Sequence, residues 1–251
     1  MSDAQDLITA AIVVIGDEIL SGRTHDTNSN HIALALGAIG IDLVEVRVVS
    51  DDQAAIVEAV NALRARNTYV FTTGGIGPTH DDKTADAIAA AFGVGIDHDP
   101  RAVAMLRERF PNAADLNEGR MRMARIPFGA DLIANSVSKA PGFRLENVFV
   151  MAGVPSIMRA MLDVVIPQLR TGVMVSSATL RADAKEGDIA VPLGEVQKAH
   201  PSVSIGSYPF TDGDRFNTNL VLRSRDERAL ANAKAAVEAM LEKMRSGTAP
   251  G

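Results

Sequence analysis

Tyr69-Val70-Phe71-Thr72-Thr73-Gly74-Gly75-Ile76-Gly77-Pro78-Thr79-His80-Asp81-Asp82 passes from aromatic and β-branched residues into a glycine-rich turn. A helical pattern follows over residues 84–92 and stops at Gly93. A short apolar run that opens into glycines and then a helix is how a parallel strand meets its covering helix. The pattern upstream is of the same kind. Ala11-Ile12-Val13-Val14-Ile15 reads as a buried strand ending at Gly16. Asp26-Thr27-Asn28-Ser29 supplies N-cap chemistry for a helix carrying Ile32, Leu36 and Ile39. Residues 43–49 form the next strand, and Ile56, Val57, Val60 and Leu63 recur at helical spacing. The whole is a βαβαβ unit of about 60 residues, the length of a right-handed doubly wound half.

Downstream, residues 100–110 repeat a helical pattern, a polar turn-rich stretch runs to Gly129, and Leu132-Ile133-Ala134 and Val148-Phe149-Val150-Met151 read as strands. Pro155 opens a helix that should end by Pro167. Beyond residue 170 the order becomes strand (173–180), helix (187–199), strand (203–207), strand (219–222), helix (227–244). This β-α-β-β-α order predicts a separate small α+β subdomain of ferredoxin-like character. The expected domains are therefore 8–170 and 171–246.

Composition narrows the chemistry. With 47% hydrophobic and 22% charged residues, the 251-residue chain can bury a core and is not disordered. Lys+Arg 25 against Asp+Glu 31 leaves −6, and only two Tyr, eight Phe and no Trp are available to stack bases, so nucleic acid is not an expected partner. The absence of cysteine removes disulfides, thiolate nucleophiles and cysteine metal sites, leaving oxygen and nitrogen groups to act. No apolar stretch reaches the roughly 20 residues that span a bilayer. Met1-Ser2-Asp3-Ala4-Gln5-Asp6 has two acids and no Lys or Arg, so a cytoplasmic protein without membrane contact is expected. The tail Ser246–Gly251 reads as frayed.

Ligands of open parallel sheets sit at the carboxyl ends of strands, which points to residues 73–82. Gly74, Gly75 and Gly77 allow positive φ and close approach, and their N–H groups can surround a phosphate or carboxylate. The same glycines also suit a tight turn joining strand to helix. Neither a G-x-G-x-x-G nor a P-loop pattern is present, and no G-x-S-x-G elbow supports a serine triad. Asp81 and Asp82 beside a phosphate invite a bridging divalent cation. Thr79-x-x-Asp82 equally matches a helix-capping box. Asp17-Glu18 and Asp51-Asp52 follow the first two strands, so carboxylates from three strand ends could converge on one cleft, although each pair alone reads as a cap or turn. His80 reads as a proton carrier, a metal ligand or, as is commoner for a loop histidine, a solvated residue.

Several segments together, Gly16-Asp17-Glu18-Ile19-Leu20-Ser21-Gly22, Asp26-Thr27-Asn28, Asp51-Asp52, residues 73–82 and Ala140-Pro141-Gly142-Phe143, resemble the molybdopterin-binding domain of the MoaB/Mog cofactor-biosynthesis proteins. The likeness is strongest to the amino-terminal domain of CinA-type competence/damage-inducible proteins. It extends through residues 147–158 and Gly206-Ser207-Tyr208-Pro209 toward the FAD synthases. The resemblance implies a three-layer α/β sandwich with a mostly parallel sheet, usually in a homo-oligomer. It implies that this domain, over about residues 8–170, binds a pterin or nucleotide diphosphate, with molybdopterin as one ligand. It also implies one of two activities: adenylyl transfer to molybdopterin through acids matching Asp51 and Asp82, or metal-dependent hydrolysis of the pyrophosphate in ADP-ribose or FAD. On that basis Asp82 and Asp51 are the expected catalytic residues. A Mg, Mn or Co ion would be held by Asp82, Asp51 and Asp81. The ligand would be bound by Thr73, Gly74, Gly75, Gly77, Pro78, Thr79, Asp17, Glu18, Pro141 and Gly142. The chain departs from the family pattern at Ile157, where a glutamate is expected, at Ala152 in place of proline and at Met123 in place of glutamine.

Overall fold

The computed structural model describes residues 7–112, 114–213 and 215–247. The amino-terminal segment read for a leader and residues 248–251 of the tail lie outside them. The described residues fall into two compact units that divide between Gly172 and Val173.

The first unit runs β1 (Thr9–Ile15), α1 (Asp17–Leu20), α2 (Asn28–Gly37), β2 (Asp42–Val49), α3 (Gln53–Arg64), β3 (Tyr69–Thr73), α4 (Thr84–Phe92), β4 (Ile96–His98), α5 (Pro100–Arg109), α6 (Glu118–Arg122), β5 (Arg125–Pro127), β6 (Asp131–Ile133), β7 (Gly142–Leu145), β8 (Val148–Met151) and α7 (Pro155–Val165). Six strands form one sheet in the order β2-β1-β3-β8-β7-β6. The first four are parallel, β7 runs antiparallel to β8, and β6 antiparallel to β7.

The unbroken apolar run of β1 follows from this placement, because a central parallel strand is covered on both faces. Ala11, Val13 and Ile15 pack with Ile56, Val60 and Leu63 of α3 and Ile88 of α4. Ala10, Ile12 and Val14 pack on the other side with Ile32 and Leu36 of α2 and Met158 and Leu162 of α7. Each fully buried Val, Ile, Leu or Met among them contributes about 1.5–3 kcal/mol. Phe71 stacks on Phe149 at 5.2 Å between ring centroids, locking β3 to β8.

Two parts of this unit depart from the reading of the sequence. β7 was not anticipated, and residue 142 explains why it exists: a Cβ there would lie 2.3 Å from the Val150 carbonyl oxygen, so only glycine lets β7 approach β8. The turn-rich stretch before Gly129 contains α6 and β5, and β5 pairs with β4 as a small separate ribbon.

The second unit runs β9 (Ser176–Arg181), α8 (Glu186–Ala199), β10 (Ser204–Asp212), β11 (Arg215–Ser224) and α9 (Glu227–Arg245). Its antiparallel sheet has the order β10-β11-β9, that of a ferredoxin-like fold lacking its last strand. β9 begins at Ser176 rather than Val173, and the two predicted short strands extend into a hairpin of nine- and ten-residue arms. Leu220 and Leu222 of β11 are buried against Ile189 of α8 and Ala233 and Val237 of α9. Among the described residues no helix is long and apolar enough to cross a membrane.

Candidate functional site

β3 delivers the chain to the glycine loop, whose shape is set by two positions. Gly74 and Gly75 have φ of +103° and +67°, where side chains are strained. A Cβ on Gly74 would sit 2.1 Å from the Ile15 carbonyl oxygen, and one on Gly75 would sit 2.1 Å from Thr84 Oγ1. Thr84, buried at the start of α4, holds the loop from the other side. Its hydroxyl donates to the Gly74 carbonyl at 2.9 Å and its N–H to the Gly75 carbonyl at 3.0 Å.

Asp82 closes the loop on itself. Its Oδ1 accepts from the Gly77 N–H at 2.7 Å, and its Oδ2 accepts from the Thr79 N–H at 2.8 Å and the Thr79 hydroxyl at 2.6 Å. The Thr79–Asp82 contact is real, yet it is not a helix cap: α4 begins at Thr84 with Lys83 as N-cap and no side-chain capping bond. The expected three-amide cradle is corrected as well. The Gly74 N–H donates to the Met151 carbonyl at 3.1 Å and the Gly77 N–H is held by Asp82. Gly75 is the one of the three whose N–H has no protein acceptor among the described residues.

The acid pairs divide their labour. Asp52 caps α3, accepting from the Ala55 N–H at 3.0 Å, whereas Asp51 Oδ2 accepts from the Asp17 N–H at 2.9 Å and ties the end of β2 to α1. Partial burial pushes the Asp51 carboxyl above its ordinary value. The Asp17 N–H opposes that rise, and the negative charges of Asp17, Glu18 and Asp81 add to it. Acids from three strand ends thus act on one another electrostatically. Among the described residues, however, no three acids or histidines are placed to hold one ion by themselves. Asp81 is exposed. His80 is 97% exposed in its side chain, 4.0 Å from Asp81, which fits the solvated reading.

Two small, open clefts flank the loop. One is lined by Gly75, Gly77, Asp82 and Pro141 together with Asp86, Arg122, Met123 and Arg125. Arg122 donates to the carbonyls of Thr79 at 3.1 Å and Asp82 at 3.4 Å. The arginines were missed because they lie in the polar stretch before Gly129. Their signal was the density of cationic residues in Arg120-Met121-Arg122-Met123-Ala124-Arg125. The other cleft is lined by Glu18, Thr73, Asp26, Asn28 and Gly153. There Asn28 Nδ2 donates to the Gly153 carbonyl at 2.7 Å, while its buried Oδ1 has no hydrogen-bond partner. Asp26 organises this corner by accepting from the N–H groups of Asn28 and Ser29.

The expected ligand set is therefore split. Thr73 and Glu18 face one cleft and Gly75, Gly77, Asp82 and Pro141 the other, with Pro78 and Thr79 on the exposed loop. Gly142 serves strand packing in β7. Ile157 lies in the first turn of α7, half-buried against the core, and brings no polar group to either cleft.

Residues 11–171 match the family model described as a probable molybdopterin binding domain, and residues 174–247 match the FAD synthase middle domain. A CinA-like protein of Gemmatimonas aurantiaca is 38% identical over 240 residues, covering 89% of this chain and 56% of that protein. A probable FAD synthase of Caenorhabditis elegans is 31% identical, covering 88% of this chain and 48% of its own length. The chain thus spans about half the length of these two relatives. The crystal structure of a CinA protein of unknown function from Thermoplasma acidophilum superposes with a TM-score of 0.61. It is 34% identical and covers 64% of this chain and 96% of that one.

Proposed function

Because the chain belongs to the molybdopterin-binding domain family, among its CinA-like members, we propose that it binds a nucleotide diphosphate at the glycine loop and hydrolyses the pyrophosphate with a divalent metal. One observation carries this reading: Asp51 is partly buried, hydrogen-bonded into place and raised by burial and by the neighbouring acids Asp17, Glu18 and Asp81. Such unbalanced negative charge beside a loop suited to anions fits a hard cation that takes one or two carboxylates and completes its shell with water and phosphate oxygens. Asp51 and Asp82 would hold the ion, with Asp81 beside them. The ion would supply Lewis acidity and an activated water.

The protein's own groups do the positioning. The Asp17 N–H orients the Asp51 carboxylate, the free Gly75 N–H offers a donor to a phosphate oxygen, and Arg122 braces the loop through the carbonyls of Thr79 and Asp82. In the test, purified protein is incubated with ADP-ribose or FAD and Mg²⁺, Mn²⁺ or Co²⁺, and AMP is quantified. Metal-dependent release lost in Asp51→Asn supports the proposal, and no release above that variant rejects it.

Ile157 motivates a second reading, pterin or nucleotide binding without turnover, because an apolar side chain packs where the resembling family carries glutamate. Tight pterin binding without AMP release would favour it, and nucleotide binding without pterin binding would count against it.

A further inference from the structure

The charged side chains on the wall of the cleft beside Gly75 are Asp82, Asp86, Arg122 and Arg125. Arg125 and Asp86 neutralise each other in a bidentate pair. The Asp82 carboxylate is turned toward the Gly77 and Thr79 N–H groups. Arg122 is different: its acceptors among the described residues are two backbone carbonyls, those of Thr79 and Asp82, and no carboxylate pairs with it. Neutral carbonyls leave a guanidinium its full charge. The remaining wall, with Ile76, Ala85, Met123, Ile126 and Phe143, offers nothing to offset it.

The chain places this charge with care. Asn117 starts α6 by accepting from the Arg120 N–H at 3.0 Å, and the helix meets the loop through Gly119, where a Cβ would lie 3.3 Å from the Pro78 carbonyl oxygen. Arg122, the last residue of that helix, then reaches the Thr79 carbonyl through Nε and the Asp82 carbonyl through Nη2. Two anchors fix the guanidinium plane. Both N–H groups of Nη1 are left without a protein acceptor among the described residues. A planar fork already held in place suits phosphate oxygens, and little side-chain freedom is lost when one arrives.

Gly75 supplies one free N–H to the same cleft, a single contact for a single phosphate group. Taking the reading above, that a nucleotide diphosphate binds at this loop, we propose that Arg122 holds one of the two phosphate groups through Nη1 while the Gly75 N–H holds the other. Arg122 thereby makes the site select diphosphates over monophosphates. Bracing the loop and binding the ligand use different nitrogens of one side chain, so neither role interrupts the other.

Isothermal titration of the full chain in Mg²⁺ tests this, with AMP and with α,β-methylene-ADP, whose methylene link resists hydrolysis. Wild type is expected to bind the diphosphate analogue about tenfold or more tighter than AMP. Arg122→Gln, which can still donate to a carbonyl but carries no charge, should bring the two affinities within about threefold of each other. Arg122→Lys keeps the charge without the fork and should hold an intermediate preference. Both affinities are read on one preparation, so any unfolded chain lowers the stoichiometry and leaves their ratio unchanged. A residue that only braces the loop would weaken both ligands alike. Equal losses for the two ligands in Arg122→Gln, or an Arg122→Lys variant with no more preference than Arg122→Gln, would overturn the assignment. Wild type that binds both ligands equally overturns the assignment alone, whereas wild type that binds neither overturns the nucleotide-diphosphate reading together with it.

Discussion

Arg125 grips the carboxylate of Asp86 with both terminal nitrogens, at 2.7 and 2.6 Å, and so ties β5 to α4 across the wall of the arginine-lined cleft. Both side chains are about three-quarters buried, 27 and 28% exposed, where a bidentate pair is less screened than at the surface.

Removing one member leaves the other charge without its partner. Asp86→Ala and Arg125→Ala should each cost about 1–3 kcal/mol. The double variant should cost less than the sum, because no unpaired charge remains. Urea denaturation in a double-mutant cycle reads the coupling, and strict additivity would show that the pair contributes nothing. Arg125→Lys should not restore stability, since one ammonium cannot span both oxygens.

The positive-φ glycines near the strand ends should rank substitutions by what a methyl group would strike. Gly22 has φ +72° with nothing within 4 Å, so Gly22→Ala should cost only the left-handed penalty of about 1–2 kcal/mol. Gly74→Ala adds a collision with the backbone carbonyl of Ile15 and should exceed about 3 kcal/mol. Gly75→Ala should fall between, because it meets a side-chain hydroxyl. Chemical denaturation of the three variants checks the order.

Asp51 makes stability depend on pH with a definite sign. Its folded pKa lies above that of the unfolded chain, so the native state holds the proton more tightly. Its favourable contribution is complete below the unfolded aspartate value of about 3.9 and is lost as pH rises through the elevated folded value. Asp51→Asn keeps an acceptor for the Asp17 N–H and removes the charge. It should melt higher than wild type at neutral pH and no higher at pH below about 3.5. Saturating Mg²⁺ should narrow the neutral-pH gap by stabilising wild type alone. Thermal melts across pH, with and without the ion, test both statements.

Asp82→Ala should release the Gly77 and Thr79 amides without unfolding the sheet. Hydrogen exchange is expected to speed at those two amides while β1 amides keep their protection. Uniform loss of protection would mean that Asp82 supports the whole unit instead of its own loop.

What was legible in the sequence follows from how each element is buried. β1, β3 and β8 are covered on both faces and show as unbroken apolar runs. β7 offers only Gly142-Phe143-Arg144-Leu145, and its defining residue has no side chain to reveal it. The glycine loop is legible for a similar reason, and its closure is hidden for the opposite one. Glycines at positive φ are conspicuous, so the loop was located. The partner of each N–H is a matter of three-dimensional closure, and Thr79-x-x-Asp82 looks the same whether it caps a helix or seals a loop. Arg122 and Arg125 stood in a segment without periodicity, and only folding brings them to the wall beside Gly75.

The loop carries its own resident anion. Because Gly77 and Thr79 already donate to Asp82, a phosphate that takes those donors does so by displacement, not by filling vacant ground. The affinity of the site then measures the difference between two negatively charged groups competing for the same amides, and arrival of one sets the other free. Entry of a ligand and liberation of the Asp82 carboxylate would be a single exchange, with the freed acid appearing only when there is phosphate beside it to share a cation.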